Sequence, residues 1–397
     1  MCMREAVVGQ ASRLPKGIEP PELSAGGTPA PLPAASGIRG ESGKRLLFVK
    51  YAFMVIIPGW LLVGCCPEGS GKTWPDPEGL RAQRALIERS FAGADVKSNA
   101  QALAEFRDGR RDSVSAAWWG FDENDATHGL QASLDSGARV VLIPAMERPW
   151  VTTTLFPRSH TTIILQEGAE LMAKQGAFRG KGDALLCLKD VEDVTLSGYG
   201  ARLAMRKSEY RAAPYARSEW RHAIELYGCA QVSLLGLRVE SSGGDGVYLG
   251  RGRRTYNDRV VLRDLQLRDH HRQGISVISA QDLLIENVEM DLTWGTLPCA
   301  GIDFEPNHAD ERFVRCVLRN CVIRCNAGAG IQVYLKNLNA TSRDIDICVE
   351  NSLVSNPPFA LMVFGAGTAH GEIAIRNTRL LGAKLIGLGS GVKVTRR

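Results

Sequence analysis

Between Ser241 and Leu335 apolar and polar residues alternate around four glycines: Asp245-Gly-Val-Tyr-Leu249, Gln273-Gly-Ile-Ser-Val277, Ala300-Gly-Ile-Asp-Phe304 and Ala329-Gly-Ile-Gln-Val333. Gly246, Gly274, Gly301 and Gly330 are spaced by 28, 27 and 29 residues. A near-constant period of this size marks a solenoid. Between the glycines a second run recurs, at Val260–Asp264, Leu283–Asn287, Val317–Asn320, Ile347–Asn351 and Ile373–Asn377. Asn287, Asn320, Asn351 and Asn377 close these runs at similar places, as stacked turn amides would. Each repeat then holds at least two short strands and no helical period, so the predicted fold is all-β, a parallel β-helix.

The rest of the chain is read around that array. Residues 1–43 are aperiodic and rich in Pro, Gly, Ala and Ser, and read as disordered or as an extension from a misplaced start. Lys44-Arg45 precedes an apolar run that ends at Leu62-Val63-Gly64-Cys65, an export-signal pattern over 44–65; a single membrane anchor is the other reading. Residues 66–117 are predicted as a helical tether, with Leu80, Ala85, Leu86, Phe91, Leu103 and Phe106 at helical spacings. From residue 118 to 397 a solenoid with an N-terminal cap is expected. In the cap, Asp125 or Thr127 starts a short helix before the buried strand Val140–Ile143, and Trp118, Trp119 and Trp150 pack it. Residues 206–221 are polar, basic and aperiodic, too long for a plain turn. They are expected to overhang the coil and wall a cleft.

Composition changes little. At 44% hydrophobic and 23% charged residues the chain has ample material for a long core, and a formal charge of +5 makes no case for nucleic acid. Cys187, Cys229, Cys316 and Cys348 fall in or beside strand patterns as apolar filler. Cys316, Cys321 and Cys325 lack paired zinc spacing, so no metal site is expected of them; a disulfide among them stays open.

Strand alternation sorts the candidate chemistry. If Val247, Ile275, Ile302 and Ile331 point inward, the outward column is Tyr248, Ser276, Asp303 and Gln332, and a second holds Glu305 and Tyr334. One exposed face should then gather Asp245, His270, His271, Arg272, Asp303, Glu305, Asn307 and Lys336, with Trp294 at a corner as a sugar platform or as packing. Asp303 and Glu305, two residues apart on a strand, have Cα atoms roughly 6.6 Å apart. Carboxyls roughly 5–9.5 Å apart suit an acid–base or acid–nucleophile pair across a glycosidic bond. A neighbouring cation holds one ionised while crowding keeps the other protonated.

Trp118–Ile143 resembles the N-terminal cap of the pectate-lyase superfamily of right-handed parallel β-helix proteins. Within it, Gly244-Asp245-Gly-Val-Tyr-Leu-Gly250 and His271–Ser279 resemble, in order, two motifs of polygalacturonase-type glycoside hydrolases. The run His270–Asn307 also looks like bacterial right-handed β-helix repeat proteins. The first likeness implies Asp245 as a catalytic acid or base and His271 as a substrate-orienting group. The second aspartate of the usual pair, the upstream Asn-Thr-Asp and the Arg-Ile-Lys are not present. Leu62–Cys65 resembles a bacterial lipobox, which implies lipid attachment at Cys65 and a membrane-anchored or secreted envelope protein. The expected activity is glycoside hydrolysis of a polysaccharide, with acidic polysaccharides among the candidates. Asp303, Glu305 and Asp245 would be catalytic, with His270, His271, Arg272, Asn307, Tyr334, Lys336 and Trp294 on substrate, in a monomer needing no cofactor. The alternatives are a lyase or epimerase, with Arg272, Lys336 or His271 as base and calcium as cofactor, and a non-catalytic glycan-binding envelope protein.

Overall fold

The computed structural model describes residues 74–387 and 391–397. Every strand pairs in parallel with the strand one turn of chain away, and the pairings run from Ser113–Ser115 to Val392–Arg396. The chain is a right-handed parallel β-helix, as the repeat pattern predicts. Each full coil contributes three strands. In one coil these are Ile275–Val277, Ala280–Glu286 and Glu289–Asp291. The third is too short for its alternation to be read from sequence, which is why only two appear there.

The glycine-marked strands stack in the expected register: Tyr248 lies beside Ser276, Ser276 beside Asp303, and Asp303 beside Gln332. Val247, Leu249, Ile275, Val277, Ile302, Phe304, Ile331 and Val333 fill the coil interior and are buried. Burying columns of branched and aromatic side chains is the main force holding such a coil closed. At one corner Asp264, Asn287, Asn320, Asn351 and Asn377 all take the left-handed conformation, at φ 57°, 57°, 54°, 50° and 39°. Asx side chains tolerate that region best after glycine. They also bond along the stack, Asn287 Nδ2 donating to Asp264 Oδ1 at 3.0 Å and Asn377 Nδ2 to Asn351 Oδ1 at 2.7 Å.

The strands leading into that corner carry an outward row of alternating charge. Arg263, Glu286, Arg319, Glu350 and Arg376 are in register on successive coils. Arg263 meets Glu286 at 2.9 Å, and Arg319 meets Glu286 at 3.4 Å and Glu350 at 2.7 Å.

The predicted helices are α1 (Pro77–Ser90), α2 (Ala100–Arg107) and α3 (Thr127–Leu134). Rather than a free tether, α1 is docked on the coil. Buried Gln83 donates to the Leu165 and Tyr199 carbonyls at 3.2 and 3.1 Å, and accepts from Ser197 Oγ at 2.7 Å and Tyr199 N at 3.0 Å. These groups flank the irregularity between Ser197 and Ala201, where the coil ladder leaves them free for a side-chain amide. Ala126 occupies the N-cap of α3, with Asp125 Oδ1 accepting the Thr127 N–H at 3.1 Å. Trp150 is fully buried, its Nε1 donating to the Pro144 carbonyl at 2.8 Å, and Trp118 is buried as well, so the cap tryptophans are packing residues.

Candidate active site

The outward column is where alternation puts it, but it is not exposed. Asp303 and Ser276 are enclosed, and Gln332 is 8% exposed. The cover is Arg272, which enters from the turn before its strand and lies across the column. Its Nη1 is 3.4 Å from Ser276 Oγ and 3.6 Å from Asp245 Oδ2, and its Nη2 donates to Glu305 Oε2 at 3.0 Å. Nε is 3.8 Å from Glu219 Oε1. The expectation of an open acidic face is therefore corrected. Asp245 and Asp303 sit behind an arginine, and of the four acids only Glu305 and Glu219 reach solvent, with side chains 29% and 31% exposed.

One guanidinium cannot neutralise four buried or half-buried carboxylates, and the balance appears as protonation. Burial pushes Asp245 up to about 7, with Arg272 opposing. Asp303 is held well above the usual carboxylate range, first by burial and then by the charge of Glu305; its Oδ2 accepts from Gln273 Nε2 at 2.9 Å. His222 accepts the Asp245 backbone N–H on Nδ1 at 3.0 Å, and the same nitrogen lies 3.2 Å from Asp245 Oδ2. Burial, followed by Arg272, takes its pKa down to about 3, so the imidazole is neutral and that contact is no ion pair. The ring stacks on Tyr248, with centroids 4.5 Å apart. One rung back, beside Tyr248, burial lifts Glu225 to about 7.

Residues 206–221 do overhang the coil. They wall a cleft of about 870 Å³ together with Lys181, Gly243, His271 and Thr296. The loop lies directly on Gly243 and Gly244. A Cβ on Gly244 would stand 2.7 Å from Arg221 N and 2.8 Å from the Glu219 carbonyl, so only glycine admits this approach. Arg221 is fully buried and pins the loop, its Nε donating to the Phe178 carbonyl at 2.7 Å and its Nη2 to the Ala216 carbonyl.

The other expected site residues divide. His271 lines the cleft, half-buried, with Nε2 3.0 Å from Thr296 Oγ1. Burial lowers its pKa, and Lys207, Arg211 and Arg221 lower it further. His270 is fully enclosed, its Nδ1 2.9 Å from Ser242 Oγ, and burial takes it down to about 3. Packed beneath Gly246, it is a corner residue and not a substrate contact. Trp294 is 46% exposed but tethered, Nε1 donating to Asp269 Oδ1 at 2.8 Å and Lys207 Nζ lying 4.1 Å from its ring. Asn307 and Lys336 are exposed beyond the far ends of their strands, and Tyr334 packs on Phe364 at 4.8 Å. None of these three contacts Arg272. Cys65 lies outside the described residues. Among those described, no cluster of three or more His, Cys, Asp or Glu is arranged to hold a metal ion.

Sequence reasoning missed Glu219, His222 and Glu225. Glu219 had no signal, since its loop lacks any period. Glu225 had one, the outward position between Ile224 and Leu226.

The fold and this face define a class, the right-handed parallel β-helix proteins. Residues 216–380 match the family described as a right handed beta helix region. In structure the chain is similar to a tailspike protein mutant of E. coli bacteriophage HK620, at 12% identity and TM-score 0.52, over 76% of this chain and 57% of that one. It is also similar to the Family 28 exopolygalacturonase of Yersinia enterocolitica, at 14% identity and TM-score 0.46, over 72% and 64% of the two chains. A third likeness is to PfbA, a surface adhesin of Streptococcus pneumoniae, at 12% identity and TM-score 0.49, over 67% and 78%. At such identities the likeness is one of fold. Among curated proteins, none matches by sequence.

Proposed function

We propose that this chain is a carbohydrate-active protein, a glycoside hydrolase of a polysaccharide laid along the coil face over Arg272, beside residues 206–221, with Glu305 as the working carboxylate. The observation that carries the reading is the Arg272 cluster: a guanidinium 3.0 Å from Glu305, with Asp245 and Asp303 shifted toward their protonated forms behind it. Protonation of those two leaves the positive charge of Arg272 to Glu305. Carboxyls set in unlike surroundings about one cation are the usual equipment for splitting a glycosidic bond. The tailspike likeness supports the fold-level part of this reading.

The test is a panel of neutral and acidic polysaccharides assayed for new reducing ends. Glu305→Gln should lower turnover by about 10²–10⁴-fold, the range for one positioned acid–base group. Wild-type turnover in that variant would sink the assignment. A second reading has one observation in its favour, a neutral His271 beside Lys207 and Arg211, which suits proton abstraction next to a uronate carboxylate. That lyase would make an unsaturated, ultraviolet-absorbing product, and the same panel reads it. The proposal includes export through residues 44–65 and lipid attachment at Cys65; fatty-acid labelling lost in Cys65→Ser is its check.

A further inference from the structure

We infer that the cleft under residues 206–221 is a subsite for an anionic substituent of the glycan, a carboxylate or a sulfate; this rests on the polysaccharide part of the reading above and names the substrate class. Four cations line the cleft, Lys181, Lys207, Arg211 and Arg217, against one acid, Glu219. Lys207 is buried and already matched, its Nζ donating to Asp269 Oδ1 at 2.7 Å and to the His270 carbonyl at 3.0 Å. Glu219 lies 3.8 Å from Arg272. The other acids nearby are engaged too: Glu209 pairs with Arg206 at 3.1 Å, and Asp183 accepts from the Gly180 N–H at 2.6 Å. Among the described residues, Lys181, Arg211 and Arg217 have no carboxylate within ion-pair distance, and all three are exposed.

The surroundings separate this cleft from an ordinary solvated fringe. Arg211 stacks over Trp294, its Cζ 5.1 Å from the ring centroid, and Trp294 is itself tethered to Asp269. Behind the loop, Arg221 is fully enclosed; its hydrogen bonds go to the Phe178 and Ala216 carbonyls, and its Nη1 has no partner. A buried guanidinium that no carboxylate contacts adds its charge to the cleft instead of cancelling it in place. His271 registers that field: burial, and then Lys207, Arg211 and Arg221, push it toward the neutral ring. Trp220, 50% exposed, and Tyr215 line the same space, and at about 870 Å³ it has room for sugar rings, more than a lone inorganic ion fills. Exposed aromatic faces beside cations suit a sugar, whose C–H face packs on the ring while its anion reaches a guanidinium. Since His271 directly precedes Arg272 and Glu219 approaches it, a charged sugar held here fixes the part of the glycan that lies over Arg272.

The test is calorimetric binding to the full chain at about 0.15 M salt, where long-range attraction is screened. Glu305→Gln serves as host, so that turnover does not consume the glycan. Two matched pairs are titrated: dextran sulfate against dextran isolates sulfate, and polygalacturonate against its methyl ester isolates carboxylate. At least one charged glycan should bind about 10–100-fold tighter than its neutral partner, the span expected of charge-assisted hydrogen bonds, and which one does so names the anion. Arg211→Gln combined with Arg217→Gln should remove most of that difference, with an unchanged thermal melt as the check on folding. Lys181→Gln, from a separate segment, should give a smaller loss in the same direction. Lys393→Gln with Arg396→Gln, exposed cations of the last strand, should leave the difference intact. Equal binding within both pairs, no binding of any glycan, or equal losses in the two double variants overturns the subsite. Tight binding of a charged glycan from which the wild type releases no reducing ends sinks the hydrolase reading and leaves the subsite standing.

Discussion

Asp245→Asn is the sharpest probe of the buried cluster, because it removes one charge and almost no volume. Asp245 is fully enclosed, and its pKa rises from the ordinary 3.8 to about 7, through burial against the pull of Arg272. The folded state thus binds this proton more tightly than the unfolded chain does. The resulting stability is fully present below about pH 3.8 and is lost as pH climbs to and through about 7. At about 1.36 kcal/mol for each pH unit of difference between the two states, the loss amounts to roughly 4 kcal/mol. Asparagine cannot ionise, so the variant should gain on wild type by about that much between pH 4 and pH 8. Comparing denaturant midpoints of the two proteins across this range reads the effect together with the smaller response of Asp303, whose carboxyl the charge of Asp245 also pushes up. Parallel curves would refute the reasoning, because they would mean that Asp245 ionises in the folded protein as it does in the unfolded chain. The proposed function adds a second expectation: an amide at this position, like the protonated carboxyl, leaves the charge of Arg272 to Glu305, so the more stable variant should keep turnover within a few-fold of wild type in the reducing-end assay.

Two further substitutions test the geometry. Gly244→Ala places a methyl group 2.7 Å from Arg221 N, so the loop must lift; a cost of about 1–3 kcal/mol and a larger loss of turnover than of stability are expected, by thermal melts and the reducing-end assay. Asn351→Ala puts alanine at φ 50° and deletes the acceptor for Asn377; midpoint shifts should report about 1–3 kcal/mol of destabilisation, with Asn351→Gly recovering the backbone part.

The coil and its register were legible because a strand has a period of two. Once Ile302 and Phe304 are placed inside, Asp303 must stand in line with Ser276 and Gln332. Nothing of the kind tells where a long side chain lies. Arg272 could have pointed to solvent from its turn, and only its contacts with Asp245, Ser276 and Glu305 turn an outward column into an enclosed one. Residues 206–221 have no repeat, so that Glu219 returns to Arg272 could not be read from spacing. The Gly243-Gly244 doublet was the one local trace of that return, and it reads equally well as turn chemistry. His270 illustrates the converse. Two neighbouring histidines look alike in sequence, yet one faces the cleft and the other fills a corner beneath Gly246.

The row Arg263, Glu286, Arg319, Glu350, Arg376 imposes a parity on how this molecule can change length. Removing one whole coil would bring an arginine beneath an arginine or a glutamate beneath a glutamate, replacing attraction by repulsion of about 0.2–1 kcal/mol for each mismatched pair. Removing two restores the alternation. Viable shortened or lengthened descendants of this coil should therefore differ by even numbers of turns along this flank, or carry a compensating charge reversal at the junction.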